Sequence, residues 1–225
     1  VDGGCAYLEV QFPFSDPTAD GPDIQKACRD ALAAGFTVEE GFRLLGELRK
    51  TIPVPIFLMS YANLVFTRGV ERFLLACREV GVRGLIVPDL PPDFDEGLYT
   101  MAPRLGLAAV PVVFPTVRPE RLARVLELGT EYLYTALRKG ITGAYTEIGQ
   151  ENLAFLRLIS ALARKRPPKI LAGFGVSGRD QVEALAPHVH AVVVGSALVQ
   201  AIGSSADPYQ AAAETMRGLT GLTSQ

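Results

Sequence analysis

Two patterns of apolar residues alternate along the chain, one of short continuous runs and one of residues at helical spacing. Together they predict a repeat of strand and helix. Short apolar runs such as 54–59 are typical of strands buried on both faces of a parallel sheet. Between them, apolar residues recur every three or four positions, as they do behind the capping box that starts at Thr37. The predicted strands are 6–10, 54–59, 84–88, 107–113, 132–135, 169–172 and 191–194.

This alternation predicts a parallel α/β architecture, for which two arrangements compete. One is a closed (β/α)8 TIM barrel, and the other is an open doubly wound sheet. Polar residues and glycines gather after the strands, which both arrangements allow. The pattern contains seven strand–helix units, and the chain starts abruptly at Val1, without Met. Both observations favour a barrel whose first βα unit is missing from this chain. No linker-like stretch divides residues 1–225, so we expect a single barrel domain.

Composition and charge narrow the classes of protein. The chain has 225 residues, 48% of them hydrophobic and 20% charged, which is enough to bury a large core. The net charge is −2 with interspersed signs, so neither nucleic acid nor a membrane surface is an expected partner. Cys5, Cys28 and Cys77 are widely spaced, which predicts reduced thiols and no metal site. No apolar run approaches a membrane span of ~18 residues, and we expect a cytoplasmic protein.

The first strand carries the most conspicuous candidate for chemistry. Glu9 interrupts an apolar run, where a carboxylate is costly unless it reaches a pocket or a partner. The loop that follows is rich in Pro, Ser, Asp and Gly and carries Asp20 shortly before Pro22, a good first helical residue. We therefore expect Glu9 and Asp20 to face each other across the mouth of this loop.

Two glycine turns near the end of the chain predict a phosphate site. The segments 172–178 and 192–196 each lead from a strand into a helix, and free N–H groups at a helix start attract a dianion. The first segment matches G-x-G-x-x-G, but a dinucleotide fingerprint belongs to a first βαβ unit and needs an acid ~20 residues later. The alternative is that both are ordinary βα turns.

Several other residues have both a functional and a structural interpretation. The glycines that flank Thr142 predict a mobile lid, or else a plain surface loop. Tyr134 either packs in the barrel or bonds Glu9 through its hydroxyl. Asp89 is a catalytic acid, a helix cap or an interface group. The two histidines, His188 and His190, lie at the start of a strand, opposite the expected site, and are interpreted as structural.

With these residues in place, the chain resembles the tryptophan synthase α subunit family over essentially its whole length. The matching motifs are FPFSDP (12–17), ADGP (19–22), YANLVF (61–66), VPDLP (87–91), GITG (140–143), GFG (173–175) and GS (195–196). The first is highly specific, whereas the phosphate glycines are shared by many barrels. The resemblance implies cleavage of indole-3-glycerol phosphate to indole and glyceraldehyde 3-phosphate.

The resemblance also implies roles for individual residues. Glu9 would be the catalytic acid and base, and Asp20 would bind the indole N–H. Thr142 would hold Asp20, and the indole pocket would be lined by Met59, Tyr61 and Phe174. The implied phosphate ligands are Gly143, Gly175, Gly195 and Ser196, and the implied contacts with a β subunit are Asp16, Pro17, Asn63 and Pro91. No cofactor is implied for this chain, and pyridoxal phosphate would belong to the β partner.

Two departures from the family keep other functions open. The first βα unit is absent, and Gln11 stands where the family normally has Gly. At i+2 on a strand, Gln11 points to the same side as Glu9 and would crowd the pocket, bond Glu9 or change the substrate. One alternative is therefore another phosphate-binding barrel lyase or isomerase. A second is a non-catalytic subunit that activates a β partner.

Overall fold

The computed structural model describes residues 1–137, 148–163, 166–173 and 175–222, which form parallel strands alternating with helices. The strands are β1 Leu8–Gln11, β2 Ile56–Met59, β3 Gly84–Ile86, β4 Ala108–Val110, β5 Val112–Val113, β6 Tyr132–Ala136, β7 Lys169–Gly173 and β8 Ala191–Val192. The helices are α1 Pro22–Ala33, α2 Val38–Thr51, α3 Ala62–Arg68, α4 Val70–Glu79, α5 Leu98–Arg104, α6 Pro119–Glu127, α7 Gln150–Leu162, α8 Arg179–Leu185, α9 Ser196–Ser204 and α10 Pro208–Thr220. None of these helices is long and apolar enough to cross a membrane.

The predicted strand 107–113 is interrupted at Pro111. Proline lacks the N–H that a ladder needs, so the strand divides into β4 and β5. β4 pairs with β3 and β5 pairs with β6, while the Pro111 carbonyl accepts a hydrogen bond from the Tyr134 N–H at 2.9 Å. This interrupted strand therefore joins two four-stranded parallel sheets.

The order of the strands supports the barrel arrangement. The sheets run β1-β2-β3-β4 and β5-β6-β7-β8, in chain order and parallel throughout. A doubly wound sheet would reverse its strand order at a switch point, and the described strands contain no such reversal. The outer edges, β1 and β8, do not pair in the described part of the chain. Their amino-terminal ends meet through side chains, with the Tyr7 hydroxyl 2.5 Å from His190 Nε2.

The packing inside the strands shows the curvature of a barrel. The Phe57 ring on β2 lies 5.1 Å from the Tyr132 ring on β6, centroid to centroid, although these strands belong to different sheets. Inner residues from both sheets form one apolar cluster, whereas Ile56 and Leu58 pack in a separate outer cluster beneath the helices. On β1 the outward positions are Leu8 and Val10, so Glu9 and Gln11 are on the inward side.

Glycines in the left-handed region delimit two of the helices. Helix α3 is separated from α4 by Gly69, whose φ of +87° is unfavourable for other residues. Helix α5 begins at Leu98. A short 3₁₀ turn, Pro92–Phe94, and Gly97 with φ +85° precede it.

The contact between Phe57 and Tyr132 is expected to contribute strongly to stability. Phe57 is 2% exposed, so Phe57→Ala leaves a cavity between the two sheets and should lower the free energy of unfolding by about 3–5 kcal/mol. Phe94→Ala is the matched control because Phe94 is 74% exposed, and its cost should stay below about 1 kcal/mol. Urea unfolding measures both variants, and equal losses would contradict this packing.

Candidate active site

A cavity of about 190 Å³ opens at the carboxyl ends of the strands. Residues from both sheets converge on it, as expected at the catalytic end of a barrel. The lining residues include Glu9, Gln11, Asp20, Asp23, Met59, Tyr134, Gly175, Ser177, Gly195, Ser196 and Gln200. Both predicted carboxylates and three of the predicted phosphate ligands therefore border a single space.

Glu9 is placed in the cavity by the alternation of β1. Its neighbour in the parallel register is Phe57, so the carboxyl lies beside the apolar interior. Burial, together with the nearby negative charge of Asp20, raises the pKa of Glu9 to about 7, and burial is the larger cause. Among the described residues, none donates a hydrogen bond to this carboxyl. Glu9 can therefore hold a proton near neutral pH, as a general acid requires.

Asp20 is buried at the end of the loop that follows β1, and it is held on all sides. Its Oδ2 accepts hydrogen bonds from the Tyr61 hydroxyl at 2.8 Å and from Gln11 Nε2 at 2.7 Å. Its backbone carbonyl accepts a bond from Gln25 Nε2 at 2.8 Å. Burial raises the pKa of Asp20 above its usual value, and the bonds from Tyr61 and Gln11 oppose part of this rise. Of the two carboxyls, Asp20 is thus the one whose ionised form is stabilised by hydrogen-bond donors.

The end of the cavity that is predicted to bind phosphate is built from helix starts and backbone. Gly195 is the N-cap of α9, which begins at Ser196, and both residues line the cavity. Gly175 has φ +78°, a conformation that favours glycine. The Gln181 side chain accepts from the N–H groups of Ser177 and Gly178, at 2.8 Å each, and braces this turn. The charged lining residues that the structure describes are all acidic, so an anion here depends on amides and serine hydroxyls.

Only some of the described residues that were expected around the indole line the cavity. Met59 and Tyr134 line the cavity, whereas Tyr61 is fully buried behind Asp20 and stacks on Phe14 at 5.1 Å. The Tyr134 hydroxyl packs against Gly173, where any other side chain would clash, because a Cβ on residue 173 would lie 2.4 Å from that hydroxyl. Thr142, Gly143 and Phe174, together with the loop 138–144, lie outside the described residues.

The residues expected at a partner interface follow the first three strands. Asp16 and Asn63 are exposed, Pro91 is half-buried, and Pro17 is buried. Of the three roles considered for Asp89, the structure supports the helix cap, because its Oδ1 accepts a hydrogen bond from the Ala62 N–H at the start of α3, at 2.9 Å. In the described part of the chain, no group of three His, Cys, Asp or Glu residues is arranged to hold a metal ion.

Sequence reasoning gave no role to several residues that line the cavity. Gln200 lies one turn after Ser196 on the same face of α9, and that spacing alone could have identified it. Ser177 belongs to the glycine-rich segment already assigned to phosphate. Asp23 lies in the first turn of α1, where an acid is favourable in any helix, so its position in the cavity carried no distinct signal.

Comparisons with known proteins agree on one family. A sequence model described as tryptophan synthase alpha chain matches residues 1–223. The tryptophan synthase alpha chain of Helicobacter hepaticus is 39% identical over 205 residues, which cover 88% of this chain and 76% of that protein. The one from Opitutus terrae is 37% identical over 204 residues, covering 90% and 75%.

Solved structures give the same result and support the barrel. A Mycobacterium tuberculosis tryptophan synthase structure matches with a TM-score of 0.88 and 30% identity, covering 98% of this chain and 82% of that one. A tryptophan synthase complex from Pyrococcus furiosus matches with a TM-score of 0.86 and 33% identity, covering 96% and 86%. The α/β barrel class predicted from the sequence is thus confirmed, although the described strands do not form a closed ring.

The raised pKa of Glu9 predicts a pH-dependent cost to stability. An unfolded Glu ionises near its ordinary pKa of 4.5, whereas folded Glu9 keeps its proton to about pH 7. The folded state therefore loses stability as pH rises between these values, by up to about 3 kcal/mol. Glu9→Gln should remove this loss, so its advantage should be small at pH 5 and largest at pH 8.

Urea unfolding at the two pH values measures this advantage. Glu120→Gln is the matched control, because Glu120 is exposed at the start of α6. That substitution should change stability little at either pH. A Glu9→Gln advantage of the same size at pH 5 and pH 8 would show that Glu9 does not titrate as described.

Proposed function

This chain belongs to the tryptophan synthase alpha chain family, and we propose that Glu9 and Asp20 carry out its cleavage of indole-3-glycerol phosphate to indole and glyceraldehyde 3-phosphate. The observation that supports these roles is the unequal environment of the two carboxyls. Glu9 has a raised pKa and accepts no hydrogen bond from the described residues, whereas Asp20 accepts two hydrogen bonds at one carboxylate oxygen. Two carboxyls in one site with different proton affinities are typical of paired acid and base roles.

Glu9 would move both protons of the reaction. It first donates its proton to the indole ring carbon that carries the glycerol phosphate side chain. The bond from that carbon to the side chain then breaks, and its electron pair restores the aromatic ring. The hydroxyl on the departing carbon becomes the aldehyde carbonyl and returns its proton to Glu9. The residue ends as it began, so indole and glyceraldehyde 3-phosphate account for every atom of the substrate.

Asp20 would stabilise the charge that develops on the ring nitrogen. Protonation of the ring carbon makes the N–H group strongly acidic, and an ionised carboxylate that accepts this N–H stabilises the intermediate. Asp20 is suited to this role because the Tyr61 and Gln11 donors favour its charged form. We propose that Tyr61 acts in the site through this bond to Asp20.

The remaining residues would bind the two ends of the substrate. Gly175, Gly195 and Ser196 line the cavity where α9 begins, and we assign the phosphate to them together with Gly143. Met59 and Tyr134 would lie beside the indole with Phe174, and Thr142 would hold Asp20. This arrangement puts the anionic end of the substrate at a helix start and its apolar end against the barrel interior.

We also propose a β subunit as the partner of this chain. A similar solved structure is a tryptophan synthase complex from Pyrococcus furiosus. The contact surface would be formed by Asp16, Pro17, Asn63 and Pro91, which follow three neighbouring strands. The alpha chain family does not itself bind pyridoxal phosphate, and we assign that cofactor to the β partner, which would receive the indole. A biosynthetic role of this kind fits a cytoplasmic location.

Replacing the Glu9 carboxyl with an amide should slow cleavage strongly. We expect Glu9→Gln to lower kcat by about 10²–10⁴-fold while substrate binding stays measurable, because the amide cannot act as an acid or base. Indole release from indole-3-glycerol phosphate is measured with and without a β subunit, and Glu120→Gln serves as the control. If the parent chain releases no indole in either condition, the proposed reaction is wrong. If Glu9→Gln loses binding instead of turnover, Glu9 is a recognition residue.

The pH dependence of cleavage should reflect the pKa of Glu9. The reaction starts with protonated Glu9, so kcat/KM should fall above pH about 7, approaching tenfold per pH unit. The measurement is indole release between pH 5.5 and 9 at substrate concentrations well below KM. A rate that stays level to pH 9 would contradict this assignment of the acid.

A further inference from the structure

Gln11 is a cavity residue to which the proposed reaction gives no direct part. It occupies the second inward position of β1, two residues after Glu9, and its neighbour in the register is Met59. The Gln11 Nε2 donates to Asp20 Oδ2 at 2.7 Å and lies 3.7 Å from Cys28 Sγ. An ionised carboxylate only accepts hydrogen bonds, so the amide must present its NH₂ group to Asp20.

The two carboxyls of the cavity differ in how many donors they receive. Asp20 Oδ2 accepts from both Gln11 and Tyr61, and the Tyr61 hydroxyl itself accepts from the Ala19 N–H at 3.1 Å. Tyr61 is therefore turned with its own proton toward Asp20. Glu9 receives no such donor from the described residues. Hydrogen bonds to a carboxylate favour its charged form, so the negative charge belongs on Asp20.

We infer that Gln11 is a positioning residue that, together with Tyr61, keeps the negative charge of the cavity on Asp20 and leaves the proton on Glu9. Its catalytic consequence rests on the proposed function, since that reaction needs an ionised Asp20 and a protonated Glu9. Both donors bind the same oxygen, so Oδ1 of Asp20 has no hydrogen bond from the described residues and is available to a ligand N–H. Gln11 would act through Asp20 and not on the reacting atoms.

Other titratable groups around Asp20 do not replace this donor. Glu9 on β1 and Asp23 on α1 are acids, and both line the same cavity. Cys28 on α1 is buried, and burial raises the pKa of its thiol. Burial likewise raises the pKa of Tyr134, and the charges of Glu9 and Asp20 add to this. All of these groups are acidic or neutral, so Gln11 and Tyr61 are the described side chains that favour charge on Asp20.

The test replaces the amide without emptying the space that it fills. Gln11→Met keeps a side chain of similar length but has no donor, so the Asp20 carboxyl should titrate at a pH about one unit higher. Carbon-13 NMR of the Asp and Glu carboxyls in the free chain measures this titration directly, in a Glu9→Gln background that removes the coupled group. Tyr61→Phe removes the other donor and should move the titration in the same direction.

Gln25→Met is the matched control. The Gln25 amide donates to the backbone carbonyl of Asp20 and not to its carboxylate. The same substitution there removes a contact with Asp20 but should leave the carboxyl titration near that of the parent. An unchanged Asp20 titration in Gln11→Met, or an equal shift in Gln25→Met, would overturn the inference.

Kinetics separates this inference from the proposed function. If the parent releases indole, Gln11→Met should move the acid limb of the kcat/KM profile to higher pH by about one unit, since Asp20 must be ionised. Gln11→Gly should give the same shift, because it also removes the donor. If Gln11 only filled space, Gln11→Gly would change KM, and the pH profiles of both variants would match that of the parent. If the parent releases no indole but Gln11→Met still shifts the Asp20 titration, the proposed reaction is wrong and the charge assignment holds.

Discussion

Glu9 and Asp20 share one small cavity, and their burial together with their mutual repulsion is the constraint on which the rest of the site depends. Two like charges in a site shielded from water cannot both form at low cost, so one group retains its proton. The surroundings decide which. Asp20 receives hydrogen bonds from Gln11 and Tyr61, whereas Glu9 lies against the apolar interior and has a pKa of about 7. The different proton affinities of the two groups therefore come from their neighbours.

The barrel architecture supplies these neighbours. Parallel strands in chain order bring their carboxyl ends to one side, where β1, β2, β6 and the segments after β7 and β8 line the same cavity. The opposite ends of the strands carry the stabilising contacts, including Tyr7 with His190 and the ion pairs of Glu131 with Arg83 and Lys169. Chemistry and stability are thus separated along the strand direction, as is usual for this fold.

Glu9 illustrates the energetic cost of a carboxyl buried in the candidate site. A carboxyl with a raised pKa destabilises the folded chain at neutral pH, and the outer cluster beneath the helices must offset this cost. On β1, Leu8 and Val10 pack into that cluster while Glu9 and Gln11 turn inward. One short strand therefore contributes both to the core and to the candidate active site, because consecutive side chains point to opposite faces.

The sequence by itself determined the order of strands and helices, the two carboxyls and the glycine turns, because these depend on periodicity and local backbone chemistry. Whether the strands are arranged as a barrel or an open sheet depended on strand order, which local pattern cannot give. The tertiary structure alone decided the bond of Gln11, since a side chain on a strand can reach several partners and only the loop after β1 places Asp20 beside it. It likewise placed Tyr61 behind Asp20, and it divided the strand at Pro111 between two sheets.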